Sequence, residues 1–162
     1  HAVLYLASKV KDPTFHRLSK LLYFADKTSL SNYGRFIFGD VYVALKHGPV
    51  PTTLYELLKA VKNGSTVFDQ DVLTTFNSAL RVDANYTITP LTAPNLDFLS
   101  DSDVECLDKA LADYGTKTYA ELSQLSRDAA YHASDENDIT TPEQIASTLP
   151  NAADLLAYLR NP

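Results

Sequence analysis

Hydrophobic residues in the first fifth of the chain recur at helical spacing. Residues 2–10 are rich in helix-forming side chains and predict a short opening helix. Asp12 then precedes Pro13, a pair typical of an N-cap followed by proline at the first helical position. The next apolar residues lie three or four apart, namely Phe15, Leu18, Leu22 and Ala25, with Leu21 and Phe24 alongside. This stripe predicts a core helix that Gly34 ends.

Residues 36–46 are dense in β-branched and aromatic side chains, which favours one or two short strands. Alternation there places Val41, Val43 and Leu45 on one face and Tyr42, Ala44 and Lys46 on the other. Residues 47–51 follow, with Gly48 between His47 and Pro49 and with a second proline at Pro51. Two prolines remove backbone donors, so we expect this segment to redirect the chain and to continue neither a ladder nor a helix.

A second amphipathic helix is predicted after this turn. Thr53 and Glu56 match a capping box, and the chain reaches its stop at Asn63-Gly64. The apolar stripe between them consists of Leu54, Leu57, Leu58 and Val61. Residues 65–79 are ambiguous, with Val72, Leu73 and Phe76 indicating another short helix. Residues 80–82 and 86–89 flank a polar turn and predict a hairpin.

The second half of the chain is predicted to be mostly helical. Ser100 is the expected N-cap of a helix that Gly115 ends, with Val104, Leu107, Ala110, Leu111 and Tyr114 directed inward. Thr118 and Glu121 form a second capping box, followed by Leu122 and Leu125 on the apolar side. Residues 133–140 are polar and predict a solvated loop. Residues 141–144 restart a short helix that Pro150 closes, and a last helix covers residues 151–160 with Leu155, Leu156 and Leu159 buried.

These elements predict an α+β fold that is mostly helical. The 162 residues suit one compact domain over positions 1–162, with a core helix bundle and a small antiparallel β-sheet or hairpins. Positions 141–162 form a C-terminal helical extension of that domain. His1 opens a chain that contains no methionine, so we attribute it to a tag or a cleaved start and give it no functional role.

Composition and charge exclude several classes of function. The net charge is -6 and the pI is near 5.0, so most of the surface repels a phosphate backbone and nucleic-acid binding is disfavoured. No apolar run is long enough to cross a bilayer, which predicts no membrane partner. The single cysteine, Cys106, cannot form an internal disulfide, and a reducing cytoplasm is the expected compartment.

Catalytic and metal motifs are absent from the sequence. It contains no Gly-rich phosphate loop, no nucleophile elbow and no His-Glu-x-x-His zinc helix, so we predict no enzyme activity, no cofactor and no metal. Cys106 lies among apolar residues of a predicted helix, where a buried and unreactive thiol is the usual case. The acidic stretch around His132, Asp135, Glu136 and Asp138 matches no EF-hand or tetrahedral zinc spacing.

Two segments resemble the Panacea family, also called SocA-like or phage-associated GepA-like antitoxins. The first is the run at residues 20–25 followed by residues 32–35. The second is the apolar strand with Tyr42 that ends in Lys46-His47-Gly48-Pro49-Val50, followed by Tyr55 in the next helix. The likeness covers residues 15–62 and continues more weakly through residues 99–100 and 107–115. Residues 122–126 are also similar to the family, but a histidine and a tryptophan usually follow, where this chain has Arg127, Asp128 and Tyr131.

The resemblance implies a bacterial, often prophage-associated antitoxin that binds and neutralises a cognate protein toxin. Delivery of the toxin to a cellular protease is a variant role within the family. Because this chain departs from the family after residue 126, the resemblance does not carry a role of the family histidine over to it.

The turn that carries the resemblance also has the chemistry of an interface. The candidate partner-binding residues are Tyr42, Lys46, His47, Gly48, Pro49, Val50 and Tyr55. Aromatic and polar groups beside a proline-stiffened turn lose little entropy on docking, which suits a protein contact. The same residues also fit a purely structural chain reversal. Two other functions stay open: a small hydrolase or transferase that uses His47 as a base, and a DNA-associated regulator.

Overall fold

The computed structural model describes residues 1–64 and 67–160. Within these residues the chain is mostly helical and carries two small antiparallel sheets, which confirms the α+β class. The helices are α1 Ala2–Lys9, α2 Phe15–Tyr33, α3 Thr52–Asn63, α4 Gln70–Ala79, α5 Asp101–Tyr114, α6 Tyr119–Ser126, α7 Ala129–His132, α8 Pro142–Ala146 and α9 Ala152–Arg160. The strands are β1 Tyr42–Leu45, β2 Gly48–Pro51, β3 Leu80–Val82, β4 Ile88–Pro90 and β5 Ile139–Thr140.

Helix α2 is the centre of the fold, as its apolar stripe predicted. Leu18, Leu21 and Leu30 are fully buried, and helices α1, α5, α6 and α8 pack around the helix together with strand β2. The main buried cluster extends from Ala2 to Leu155, and the one domain over residues 1–162 stays a prediction. Ser65, Thr66, Asn161 and Pro162 belong to that prediction but lie outside the described residues. No helix in the described ranges is long and apolar enough to cross a bilayer.

The start of α2 differs from the prediction of an Asp12 cap. The N-cap is Thr14, whose hydroxyl accepts from the Arg17 amide at 3.4 Å. The Pro13 carbonyl accepts from the Ile88 amide at 2.9 Å, and Thr14 forms a β-bridge with Thr87. Because the chain runs extended beside the β3–β4 hairpin until Thr14, the helix cannot begin at Pro13. The predicted end at Gly34 is confirmed.

A three-stranded sheet in the order β2-β1-β5 lies against α2. Within β1, Tyr42 and Ala44 are buried on one face, so the predicted alternation is confirmed, although the strand covers only four of the eleven predicted residues. Strand β5 was not predicted, because residues 133–140 read as a polar loop. Strand β5 pairs with β1 over two residues only. Next to this pairing, the Ala44 amide of β1 donates to the Asp138 carbonyl at 2.9 Å. Two residues are too few for a recognisable alternation.

The expectation that residues 47–51 continue no ladder is wrong. Strand β2 pairs with β1 in the register Val43↔Val50 and Leu45↔Gly48, with Pro49 opposite Ala44. In an antiparallel pair, hydrogen-bonded and non-hydrogen-bonded positions alternate. The Ala44 amide bonds towards β5, so Pro49 and Pro51 occupy positions whose nitrogens face away from β1. Edge positions of this kind tolerate proline.

Helix α3 has a cap that differs from the predicted Thr53–Glu56 box. Its N-cap residue, Pro51, has no side-chain acceptor, and the Asp40 carboxylate takes that role. Asp40 accepts from the Thr53 amide at 3.1 Å, the Leu54 amide at 2.9 Å and the Val41 amide at 2.7 Å. A carboxylate at a helix N-terminus satisfies free N–H groups and meets the positive end of the dipole. The predicted stop at Gly64 and the buried Leu54, Leu57 and Leu58 are confirmed.

The remaining elements follow the sequence closely. Capping boxes are present at Ser100, Thr118 and Thr141, and the β3–β4 hairpin and helix α4 are confirmed. Three features differ. Helix α7 was not predicted, Leu125 is 45% exposed where an inward position was predicted, and Leu156 and Leu159 are only partly buried where burial was predicted.

The substitution Asp40→Ala tests the cap of α3. It removes the acceptor of two helix amides, and we expect it to lower the free energy of unfolding by about 1–2 kcal/mol in urea titrations. Thr53→Ala is the matched control, because the Thr53 side chain is exposed and the cap does not depend on it. A loss for Thr53→Ala that equals or exceeds the loss for Asp40→Ala would contradict this assignment.

Candidate functional site

The β1–β2 hairpin presents a two-residue tip made of Lys46 and His47, and both side chains are exposed. Beside the tip lies a cavity of about 430 Å³, which we call the hairpin groove. Its walls come from the hairpin, the first half of α2, the first turn of α3, the start of α6 and the segment before β5. The lining residues are Phe15, His16, Ser19, Lys20, Leu45, Lys46, His47, Val50, Tyr55, Tyr119, Glu136 and Asn137.

The structure brings four of the seven predicted partner-binding residues to this groove: Lys46, His47, Val50 and Tyr55. Tyr55 is half-buried and its ring stacks on Phe15, with 5.2 Å between the ring centroids. Gly48 and Pro49 are buried in β2 just below the tip. They shape the hairpin beneath the exposed side chains.

Tyr42 has a supporting position. Its side chain is 2% exposed and its hydroxyl donates to Asp26 Oδ2 at 2.8 Å. The other oxygen of this carboxylate accepts from the Ile37 amide at 2.8 Å and the Phe38 amide at 2.9 Å. Burial raises the pKa of Asp26, against the effect of these hydrogen bonds, and burial also holds the pKa of Tyr42 well above its usual value. This buried pair fixes the chain that leads into β1.

Lys20 is the group at the groove that sequence reasoning missed. Its side chain is fully buried, and Nζ donates to the Pro49 carbonyl at 2.6 Å. Burial lowers the pKa of Lys20 to about 7, because a charged ammonium loses its hydration there. The available signal was a lysine four residues after His16, which places both on one helix face between the leucines of the core stripe.

His16 and Tyr119 form the opposite wall. Their rings stack with centroids 3.7 Å apart, and His16 Nε2 lies 3.0 Å from Ser123 Oγ. Burial, with the nearby Lys20 charge second, lowers the pKa of His16 to about 4, so the ring is neutral at pH 7. The His47 ring meets the edge of Tyr119 at 5.5 Å. Arg17 donates to the Gly115 and Lys117 carbonyls at 2.7 and 2.8 Å, which positions the start of α6.

Position 48 requires glycine for two reasons, the lack of room for a side chain and the positive φ angle of the backbone. Its φ is +101°, where side chains are strained, and a Cβ there would overlap Ser126 Oγ and lie 3.1 Å from Lys20 Nζ. The hairpin therefore lies so close to the Lys20 side chain of α2 and the Ser126 side chain of α6 that no Cβ fits at position 48. This contact fixes the position of the tip relative to the groove.

Other candidate chemistry finds no support in the described part of the chain. Cys106 is 1% exposed, as predicted, and burial raises the pKa of its thiol, which opposes formation of the nucleophilic thiolate. Residues 1–64 and 67–160 contain no group of three or more His, Cys, Asp or Glu side chains that could hold a metal ion. The groove instead offers aromatic faces, two lysines and one carboxylate, that of Glu136.

Comparison with known proteins gives one match. A family model described as "Antitoxin SocA-like, Panacea domain" matches residues 18–131 of the 162. The matched range includes the whole β1–β2 hairpin, Lys20, Tyr55 and Tyr119. No curated protein and no solved structure matches the chain.

The substitution Gly48→Ala tests the close approach of the hairpin. Backbone strain and overlap with Ser126 Oγ act together, so we expect the free energy of unfolding to fall by about 2–4 kcal/mol in urea titrations. Gly39→Ala is the matched control, since its φ is +64° but nothing lies within 4 Å of the added Cβ. It should cost about 1–2 kcal/mol. Equal losses for both glycines would show that Gly48 is not sterically confined.

Proposed function

Because the chain belongs to the antitoxin SocA-like, Panacea domain family, we propose that it neutralises a cognate protein toxin by binding it directly. Family membership is the observation that carries this proposal. Direct binding also suits a surface that offers an exposed hairpin tip beside an aromatic groove and, in the described residues, no candidate metal cluster.

We propose that the toxin contacts the hairpin tip and the mouth of the hairpin groove. Lys46 and His47 are exposed there, and Tyr55 and Tyr119 present aromatic faces next to them. The tip is held from below by Gly48 and by the Lys20 bond to Pro49. A rigid surface loses little conformational entropy when it docks, and aromatic side chains are frequent hot spots of protein interfaces.

The seven predicted residues divide into two roles under this proposal. Lys46, His47 and Tyr55 line the groove and contact the toxin, and Val50 lines the groove as well but is buried. Tyr42, Gly48 and Pro49 are buried and hold the contact residues in place.

The bound toxin has two possible fates, masking or delivery to a cellular protease. They are distinguished by the lifetime of the toxin in cells that contain this chain. Masking leaves a stable complex and a persistent toxin, whereas delivery shortens the half-life of the toxin and requires the protease. Masking needs only the contact described above, so it is the form of the proposal that we favour.

Co-expression with the products of neighbouring genes tests the function. We expect one of these products to arrest growth alone, to be harmless with this chain, and to copurify with it. Absence of any copurifying or neutralised neighbour would overturn the proposal.

The double substitution Lys46→Glu with His47→Ala tests the contact surface. Both side chains are exposed, so thermal unfolding should stay unchanged while the Kd for the copurified toxin rises about tenfold or more. Lys11→Glu is the matched control, since Lys11 is also exposed but lines a different cavity. An unchanged Kd in the double variant would place the interface elsewhere on the chain.

A further inference from the structure

The wall of the hairpin groove contains a buried amine, that of Lys20, which no carboxylate in the described part of the chain pairs with. The Lys20 ammonium donates to the Pro49 carbonyl and, within residues 1–64 and 67–160, to no other acceptor. It forms no ion pair with the carboxylates of these residues. An ammonium has three N–H donors, so two remain without a partner. A buried charge in this state is costly unless an acceptor of opposite charge reaches it.

The polar groups around Lys20 include few that would oppose an anion. From its own helix comes His16, which is neutral at pH 7, from the hairpin Lys46 and His47, and from α6 Tyr119, while the Arg17 guanidinium nearby is bonded to the Gly115 and Lys117 carbonyls. Glu136 is the one acidic residue among those that line the groove, and it is exposed. The groove thus has two lysines against one exposed glutamate, on a chain whose net charge is -6.

We propose that the hairpin groove receives an acidic side chain of the bound toxin, whose carboxylate pairs with Lys20 Nζ. The inference rests on the proposed function and specifies the chemistry of its partner. Phe15, Tyr55 and Tyr119 supply apolar walls for the stem of an Asp or Glu side chain. Because Lys20 is fully buried, the proposal requires the groove to open when the carboxylate enters, with the exposed rings of His47 and Tyr119 as the side chains free to turn aside.

Such a contact makes binding depend on pH. The amine of free Lys20, with a pKa of about 7, is partly neutral at pH 7. A carboxylate beside it favours the charged form and raises the pKa, so binding takes up a proton. Affinity for the acidic group therefore increases as pH falls through 7 and decreases above it.

A small carboxylate probe tests the site without the toxin. The full chain, with ¹³C-labelled lysine, is titrated by NMR with 3-phenylpropionate and with its neutral analogue 3-phenylpropionamide. We expect the carboxylate to raise the pKa of Lys20 and to bind about tenfold or more tightly at pH 6 than at pH 9. The amide should show neither effect. Equal behaviour of the two probes, or no shift at Lys20, overturns the proposal.

Variants separate Lys20 from the histidines and from the exposed lysine nearby. Lys20→Met keeps the apolar stem but removes the charge, and we expect it to abolish the pH dependence. Lys109→Met, an exposed lysine on α5, is the matched control and should leave the dependence intact. Loss of the dependence in Lys46→Met but not in Lys20→Met would assign the carboxylate to the exposed tip instead. The wild-type NMR titration stands even if Lys20→Met does not fold.

The toxin complex decides whether the protein partner supplies the carboxylate. Calorimetry at pH 7 in buffers of different ionisation enthalpy should show uptake of about half a proton, lost in Lys20→Met. Probe binding without proton uptake in the complex would assign the groove to a free small carboxylate and overturn this assignment. A stable complex with neither probe binding nor proton uptake would overturn the inference and leave the antitoxin function intact.

Discussion

The outer edge of strand β2 is buried. The backbone N–H and carbonyl groups along this edge therefore need hydrogen-bond partners inside the protein, and this requirement constrains the whole hairpin region. All four residues of β2 are buried, so any N–H or carbonyl that faces away from β1 must find a partner inside the protein. Pro49 and Pro51 have no N–H at these outward positions. The outward carbonyl of Pro49 accepts from Lys20. Two prolines and one lysine thus close a sheet edge that would otherwise carry unpaired polar groups.

The lysine that closes this edge belongs to the same helix as the carboxylate that fixes the approach to the sheet. Asp26 accepts from the Ile37 and Phe38 amides and from the Tyr42 hydroxyl, whereas Lys20 donates to Pro49. Helix α2 therefore holds both strands of the hairpin, β1 through the bond of Asp26 to Tyr42 and β2 through the bond of Lys20 to Pro49. Each group is buried without an ion pair to the other charged residues that the structure describes. Hydrogen bonds to backbone groups offset the free energy lost when these two side chains are removed from water. The same hydrogen bonds fix the position of the exposed tip.

Local features could be predicted from the sequence, whereas features that depend on distant residues could not. The helix starts predicted at Ser100, Thr118 and Thr141 all have capping boxes between residues three apart, although the box predicted for Thr53 and Glu56 did not form. The cap of α3 comes instead from Asp40, 14 residues before Leu54. Lys20 and Pro49 are 29 residues apart, and His16 and Ser123 are 107 apart. The sequence therefore indicated the hairpin side of the groove through its Gly-Pro turn, whereas the α2 wall had only the spacing of His16 and Lys20 as a signal and the α6 wall had none.

The closed edge also determines how a partner can use this face of the protein. Addition of a foreign strand requires free N–H and carbonyl groups along a sheet edge, and β2 has neither at Pro49. The opposite edge, β5, is only two residues long. Recognition at the hairpin must therefore rely on side chains. Those available are the aromatic walls of the groove and the charges of Lys46 and Lys20, which makes a partner with an acidic group beside apolar surface the best complement to this face.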